Sequence, residues 1–240
     1  MSIKVIINNI IRKAGFEINR FPNSDLRRRA KIIQDLDVDL ILDVGANAGQ
    51  YGQLARKLGY SGQIISFEPI QSVFTSLQQT IQGDSKWQAY NYAMGEDNYT
   101  TAINVSQNTY SSSILEIDQK HVTAAPESVT AYKEQIQVKK LDDVFNEVVK
   151  GFNRPFLKLD VQGFEKKVLE GASQVLRNMC GVQLELSLST LYTNETTFND
   201  MLIYMRDRNF ELVSLENGLA DNDTAFLLQA DGIFINRGRV

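Results

Sequence analysis

Four stretches of the chain put chemistry-bearing residues directly after short apolar runs. The first is Asp43-Val44-Gly45-Ala46-Asn47-Ala48-Gly49-Gln50-Tyr51. Its glycines allow a sharp strand-to-helix turn and a close approach of a ligand to the backbone. The second is Phe67-Glu68-Pro69, one strand–helix unit later. An acidic side chain at that place can accept both hydroxyls of a ribose, so the two motifs together point to an adenosine-containing ligand. The third is Lys158-Leu159-Asp160-Val161-Gln162-Gly163-Phe164-Glu165. It delivers Asp160 to the end of a buried strand and opens a helix at Gly163. Glu165 then falls in the first helical turn, where the helix dipole favours an acid. The fourth is Glu185 in Gln183-Leu184-Glu185-Leu186, a charge inside an apolar strand that needs a buried partner or a function.

Two familiar alternatives fit poorly. A dinucleotide fingerprint wants glycine at 45, 47 and 50, but Asn47 and Gln50 hold the last two places. A phosphate loop would need Gly-Lys-Ser/Thr, which is absent. Asp160, Glu165 and Glu185 could instead gather a hard cation such as Mg²⁺; the reading adopted is that no metal is bound.

These residues need a frame, and the periodicity supplies one. Strands are expected over 39–44, 63–67, 87–92, 155–159 and 182–186, with helices over 50–58, 70–81, after 163 and around 198–205. Strands over 211–215 and 226–235 follow with no helix between them, which implies an antiparallel edge pair. The rhythm is that of an α/β, doubly wound, Rossmann-like sheet, mostly parallel with an antiparallel final strand. Residues 95–151 interrupt it as an insertion of the kind that covers substrates. Within it a polar segment spans 98–113, a helix is expected around 121–133, a strand around 136–140 and a short helix after that. Residues 1–34 read as a helical segment ahead of one domain over 35–240. Ile3, Ile6, Ile7, Ile10, Ile11 and Ala14 form one helical face opposite Lys4, Arg12 and Lys13. That face packs on the domain or, given its basic partner face, touches a membrane surface through residues 3–14.

The composition bounds the classes. The chain has 240 residues, 43% hydrophobic and 22% charged, ordinary for one large globular domain. A net charge of -4 disfavours nucleic acid, with Arg27-Arg28-Arg29-Ala30-Lys31 as a local exception. One cysteine, Cys180, forms no intrachain disulfide, and with a single histidine it makes a Cys/His zinc site untenable. No apolar run of bilayer length and no signal-peptide pattern is present, so the cytoplasm is expected. A homodimer is left open.

Taken in order, Asp-Val-Gly-Ala-Asn-x-Gly at 43–49, Phe-Glu-Pro at 67–69, Leu141-Asp142-Asp143, the Lys158–Glu165 motif with Val168-Leu169-x-Gly171, and Glu185 resemble the FkbM-type methyltransferases. The resemblance runs from about residue 35 to the C-terminus. Gln162 stands where that family usually has Glu, and Leu159 where it usually has Ile. The resemblance implies a class I methyltransferase fold using S-adenosyl-L-methionine. It implies that Asp43, Gly45, Asn47 and Gly49 shape the methionine end of the pocket, with Tyr51 nearby. Glu68, followed by Pro69, would hold the ribose, and Asn91 and Ala93 would lie near the adenine. It implies methyl transfer to a hydroxyl oxygen of a sugar or natural product, that is, a small-molecule or glycan acceptor. Asp160 is then the first candidate base. His121 is the second, since its ordinary pKa near 6.5 suits a base at neutral pH, with Glu165 and Glu185 beside them. Ser111, Ser112, Ser113 and Asp231 are candidate acceptor contacts. An N- or C-methyltransferase and a catalytically idle binding module on the same fold are the competing readings.

Overall fold

The computed structural model describes residues 11–16, 20–149 and 151–239. The amphipathic face expected over 3–14 therefore lies mostly outside the described residues; its end, Arg12–Ala14, is a single 3-10 turn.

Among the described residues there are ten strands and seven α-helices. The strands are β1 (Leu40–Val44), β2 (Gln63–Phe67), β3 (Trp87–Tyr90), β4 (Ala93–Met94), β5 (Tyr99–Ser106), β6 (Thr130–Lys139), β7 (Pro155–Leu159), β8 (Gly181–Ser187), β9 (Phe210–Asn217) and β10 (Gln229–Asn236). The helices are α1 (Ser24–Asp35), α2 (Gln50–Lys57), α3 (Gln71–Thr80), α4 (Gln119–Ala124), α5 (Leu141–Val148), α6 (Glu165–Gly171) and α7 (Phe198–Arg206).

Seven strands form the main sheet in the order β3-β2-β1-β7-β8-β10-β9. Pairings from β3 through to β8 are parallel, and β10 runs antiparallel to both β8 and β9. The expected antiparallel final strand is thus inserted between β8 and the edge strand. The order turns back between β1 and β7, which puts a topological switch point at their carboxyl ends.

The elements follow from local chemistry. β1 and β7 are buried on both faces; their sequences are apolar but for Asp43 and Lys158, which pair with each other across the two strands. α1 starts where the Asn23 side chain accepts from the Leu26 amide at 2.8 Å. Arg28 and Arg29 of α1 bond to Ser214 and Glu216 of β9, so the 34/35 boundary falls within a helix already tied to the sheet. α2 can sit tightly on β3 because residue 52 is glycine: a Cβ there would lie 2.2 Å from Trp87.

The insertion differs from its expected pattern. Its polar segment contains β5, and the helix expected around 121–133 is only α4. Thr130–Lys133 belongs instead to β6, which pairs antiparallel with β5, and β4 joins β6 in a separate three-stranded sheet. The third main-sheet strand stops at Tyr90, because Ala93–Met94 leaves to join this second sheet. No described helix is long and apolar enough to cross a membrane.

Candidate active site

A cavity of about 280 Å³ opens at the carboxyl ends of β1, β2 and β7, under the insertion. That volume is at the small end of ligand pockets. A larger groove of about 1080 Å³ runs between α1 and α2 at the opposite, amino ends of the strands. In open α/β sheets ligands bind at the carboxyl ends by the switch point, which makes the smaller cavity the candidate site.

Gly45, Asn47, Glu68, Pro69, Ala93, Ser112, Ser113, Asp160 and Glu185 line this cavity. The remaining candidates from the sequence do not. Asp43 is fully buried beneath it, 3.2 Å from the Lys158 ammonium. Gly49 caps α2 in a left-handed conformation. The Tyr51 hydroxyl donates to Gln183 at 3.0 Å, and the ring lies under Arg29 and Lys158. The Asn91 amide clamps the carbonyls of Glu68 and Pro69 at 2.9 and 3.0 Å. His121 is 2% exposed, edge-on to Tyr192, with Nε2 3.4 Å from the Ser111 hydroxyl and no partner for Nδ1. Burial lowers its pKa and keeps the ring neutral. Asp231 lies across the β10 pairing from both Glu185 and Glu216.

The carboxylates have distinct settings. Glu68 is 4% exposed and accepts from the Asn47 amide at 3.0 Å through Oε2 and from the Ile70 amide at 2.9 Å through Oε1. Burial pushes its pKa up to about 7 against the pull of those two amides. Glu165 accepts from the Val161 amide at 3.0 Å, and burial, then Asp160 and Glu195, outweigh that bond and push it up to about 7. Glu185 rises well above the usual carboxylate range through burial and the nearby acids Asp160, Glu165, Asp231 and Glu195. Burial and Asp160 push Asp231 up to about 6, against Arg29 and Lys158. Asp160 is the more open acid, its side chain 44% exposed and 3.5 Å from Lys158. Burial opposes the Lys158 charge, but Asp43 and Asp160 outweigh it and hold the ammonium protonated.

These acids do not converge as metal ligands: among the described residues no group of three or more His, Cys, Asp or Glu side chains is arranged to hold a metal ion.

A nucleoside fits the residues present. Each Glu68 oxygen is aimed by one main-chain amide and keeps lone-pair capacity for a ribose hydroxyl. Ile70, Ala93, Met94 and Phe67 add apolar wall beside it, suited to a flat base. Gly45 lets β1 and β7 close at the floor: its φ is +76°, and a Cβ would fall 1.9 Å from the Asp160 carbonyl oxygen.

Sequence reading missed Gln162, Thr109, Tyr110 and Ile114 in the lining. The last three belong to the stretch between β5 and α4, where no local signal marks which polar or aromatic residue turns inward. Gln162 did carry a signal, its departure from the family pattern.

Comparison with known proteins identifies the fold and the family. Methyltransferase 1 of Beauveria bassiana (strain ARSEF 2860) is 27% identical over 147 residues, covering 56% of this chain and 59% of that protein. The chain thus spans about three-fifths of that relative's length. The fold is shared with the cofactor-bound protein Rv0187 from MTB, at TM-score 0.51 and 9% identity over 99% of this chain and 91% of that one. It is also shared with a putative S-adenosylmethionine dependent methyltransferase from Listeria monocytogenes, at TM-score 0.50 and 9% identity over 89% and 99%. These two likenesses show the fold, that of class I methyltransferases. A family model described as the methyltransferase FkbM domain matches residues 43–212, from the buried Asp43 of β1 into β9. With S-adenosyl-L-methionine as its cofactor, the chain belongs to the FkbM methyltransferase domain family.

Proposed function

We propose that the protein transfers a methyl group from S-adenosyl-L-methionine to a hydroxyl oxygen of a small-molecule or glycan acceptor, with Asp160 as the base. The observation that carries this is one cavity holding an amide-aimed Glu68 at one end and the half-exposed Asp160 at the other.

When bound, the cofactor supplies an electrophilic sulfonium methyl. The protein's part is to bind, orient and deprotonate. Glu68 accepts the ribose hydroxyls, and Gly45 and Asn47 form the floor beside it. Holding a hydroxyl in line with the methyl contributes roughly 7–11 kcal/mol through lost translational freedom. Asp160 accepts the proton as the hydroxyl attacks, a contribution of about 10²–10⁴-fold. The Lys158 ammonium lies 3.5 Å from Asp160, a cation beside the proposed base. Ser112 and Ser113, brought over the cavity by the insertion, are suited to contact the acceptor. A net charge of -4 supports a small-molecule or glycan acceptor over nucleic acid.

Two measurements test the reading. In a calorimetric titration S-adenosylhomocysteine binds and NAD does not, and Glu68→Ala weakens binding at least about tenfold. With labelled S-adenosylmethionine and a panel of hydroxyl, amine and carbon acceptors, label appears on a hydroxyl, and Asp160→Asn lowers kcat/KM by about 10²–10⁴-fold. Near-normal turnover in Asp160→Asn removes Asp160 as the base. Label on amine or carbon acceptors alone replaces O-methylation with the N- or C-methyl reading. Binding without turnover of any acceptor favours an idle module.

A further inference from the structure

Gln162 has contacts that neither cofactor binding nor proton transfer by Asp160 explains. It is 9% exposed and adopts a left-handed backbone, φ +55°, in the turn between Asp160 and Gly163. Its Nε2 donates to Asp160 Oδ1 at 2.8 Å and to Glu185 Oε2 at 3.0 Å. Its Oε1 accepts from the Tyr192 hydroxyl at 2.7 Å. Its own carbonyl accepts from the Ser113 hydroxyl at 2.7 Å. The Tyr192 hydroxyl also lies 3.2 Å from the Ser111 carbonyl oxygen. One side chain therefore joins two cavity carboxylates, and its backbone and its tyrosine partner both reach the insertion.

The amide orientation follows from the chemistry. A carboxamide nitrogen has two hydrogens, and here each meets a carboxylate oxygen. Turning the amide over would set its oxygen against both acids and its nitrogen against the tyrosine. A glutamate at this position would place a third acid against the first two. Like charges that close cannot all ionise.

We propose that Gln162 is a positioning residue: its carboxamide, oriented by Tyr192, holds Asp160 and Glu185 in fixed relation at the cavity, and the residue is tied to the insertion by Tyr192 at Ser111 and by its own carbonyl at Ser113. The mechanistic consequence rests on the base assignment to Asp160, but the bridge itself does not. Glu185 receives a second amide, Gln229 Nε2 at 2.7 Å, on the same oxygen. Asp160, Glu165, Asp231 and Glu195 face it as acids, and Tyr192 lies against it. Lys158, beside Asp160, is the nearby cation. In that acidic setting a neutral double donor lets two carboxylates share one cavity.

The test reads the carboxyls directly. Protein carrying ¹³C-labelled glutamate is titrated by NMR, with the Glu185 signal assigned by Glu185→Gln. Gln162→Met keeps the side-chain length and removes both donors. Losing a hydrogen bond to the charged form raises the Glu185 midpoint, by about one pH unit. Tyr192→Phe keeps the amide but frees its orientation, and gives a smaller rise. Both variants must keep the unfolding midpoint of a folded protein, and Tyr192→Phe carries the test alone if Gln162→Met does not fold. An unchanged Glu185 midpoint in the folded variants overturns the proposal. The titration needs no acceptor, so its outcome is separate from that of the methyl-transfer reading. Where an acceptor turns over, Gln162→Met lowers kcat about tenfold or more, shifts the pH profile of kcat and leaves S-adenosylhomocysteine affinity within about twofold. A loss confined to that affinity would mean a cofactor-binding role instead.

Discussion

The two faces of the central sheet are built on different principles. One is apolar along its central strands β1, β7 and β8: Leu40, Leu42, Val44, Leu157, Leu159, Val182, Leu184 and Leu186 meet Leu141, Val168, Leu169, Met201 and Met205 from the helices and connections that cover it. The other face changes along the strands. At the amino ends Ile41, Phe156 and Ile235 lie in register, with Ile64 on β2 beside them. One pleat further on, the row reads Ser66, Asp43, Lys158, Gln183. Beyond that come Glu68 and Asp160 after their strands, then Glu185, Asp231 and Glu216 side by side. A sheet buried on both faces gains most from apolar side chains. The polar half-face forgoes that gain, and it ends at the candidate active site. The difference separates the part of the chain that holds the fold from the part that sets up chemistry.

The sharpest way to break this comparison is Lys158→Met. Asp43 is fully buried, and Lys158 is its cation at 3.2 Å. Ser66 donates to the other Asp43 oxygen at 3.3 Å, and Trp87 donates to Ser66 at 3.0 Å. Removing the cation leaves a buried carboxylate unpaired, at a cost of about 3–5 kcal/mol. Denaturant unfolding measures it, and the double variant Asp43→Asn/Lys158→Met recovers part of the loss. A cost under about 1 kcal/mol would mean the row is not held as an ion pair. On the apolar face Leu184→Ala costs about 2–4 kcal/mol by leaving a cavity. Its S-adenosylhomocysteine affinity stays near that of the parent. A large affinity loss there would show that the two faces are not separable.

Much of this contrast was legible in the residues. A strand was expected within each of the seven main-sheet strands, the central ones from short apolar runs, and Gly45, Glu68, Asp160 and Glu185 line one cavity. Their legibility has a physical cause: a buried parallel strand has a strong local signature, and the residue after it lands at the sheet edge. The insertion lacks that help. β6 buries little of its length, and its Ala131-Tyr132-Lys133-Glu134-Gln135 is rich in good helix formers. Pairing with β5 overrode that propensity, a tertiary effect invisible to local periodicity. His121 and Tyr51 are instructive for the same reason. Each is a plausible reactive side chain by type, but packing sends His121 against Tyr192 and Tyr51 against Gln183.

A pH series tests the polar half-face as a whole. Glu68 and Glu165 are pushed up to about 7, and Asp231 to about 6. Raised carboxyl pKa values mean that the folded protein holds these protons more tightly than the unfolded chain does. Their contribution is complete below the ordinary carboxylate range and is lost as pH rises through about 6 to 7. Stability should fall by about 1–3 kcal/mol between pH 5 and pH 8, read as a drop in Tm. S-adenosylhomocysteine binding should move the other way, since ionised Glu68 is the better acceptor for two hydroxyls. A protein whose stability rises steadily over that range would not contain these strained acids.

The smallest effect tests where the polar face stops being the active site. The family resemblance put Tyr51 near the cofactor. The structure puts its hydroxyl on Gln183, beneath the cavity floor, with Arg29 and Lys158 on its ring. Tyr51→Phe removes one hydrogen bond and leaves the Gln183 oxygen short of a donor, for about 1 kcal/mol of stability. The phenyl ring keeps its contacts with Arg29 and Lys158, so Lys158 and Asp43 stay in place. S-adenosylhomocysteine affinity should then stay within about twofold. A tenfold loss, about 1.4 kcal/mol of binding, would move the boundary one row down the strands. It would make Asp43, Lys158 and Tyr51 part of the cofactor pocket and leave the apolar face as the sole support of the fold.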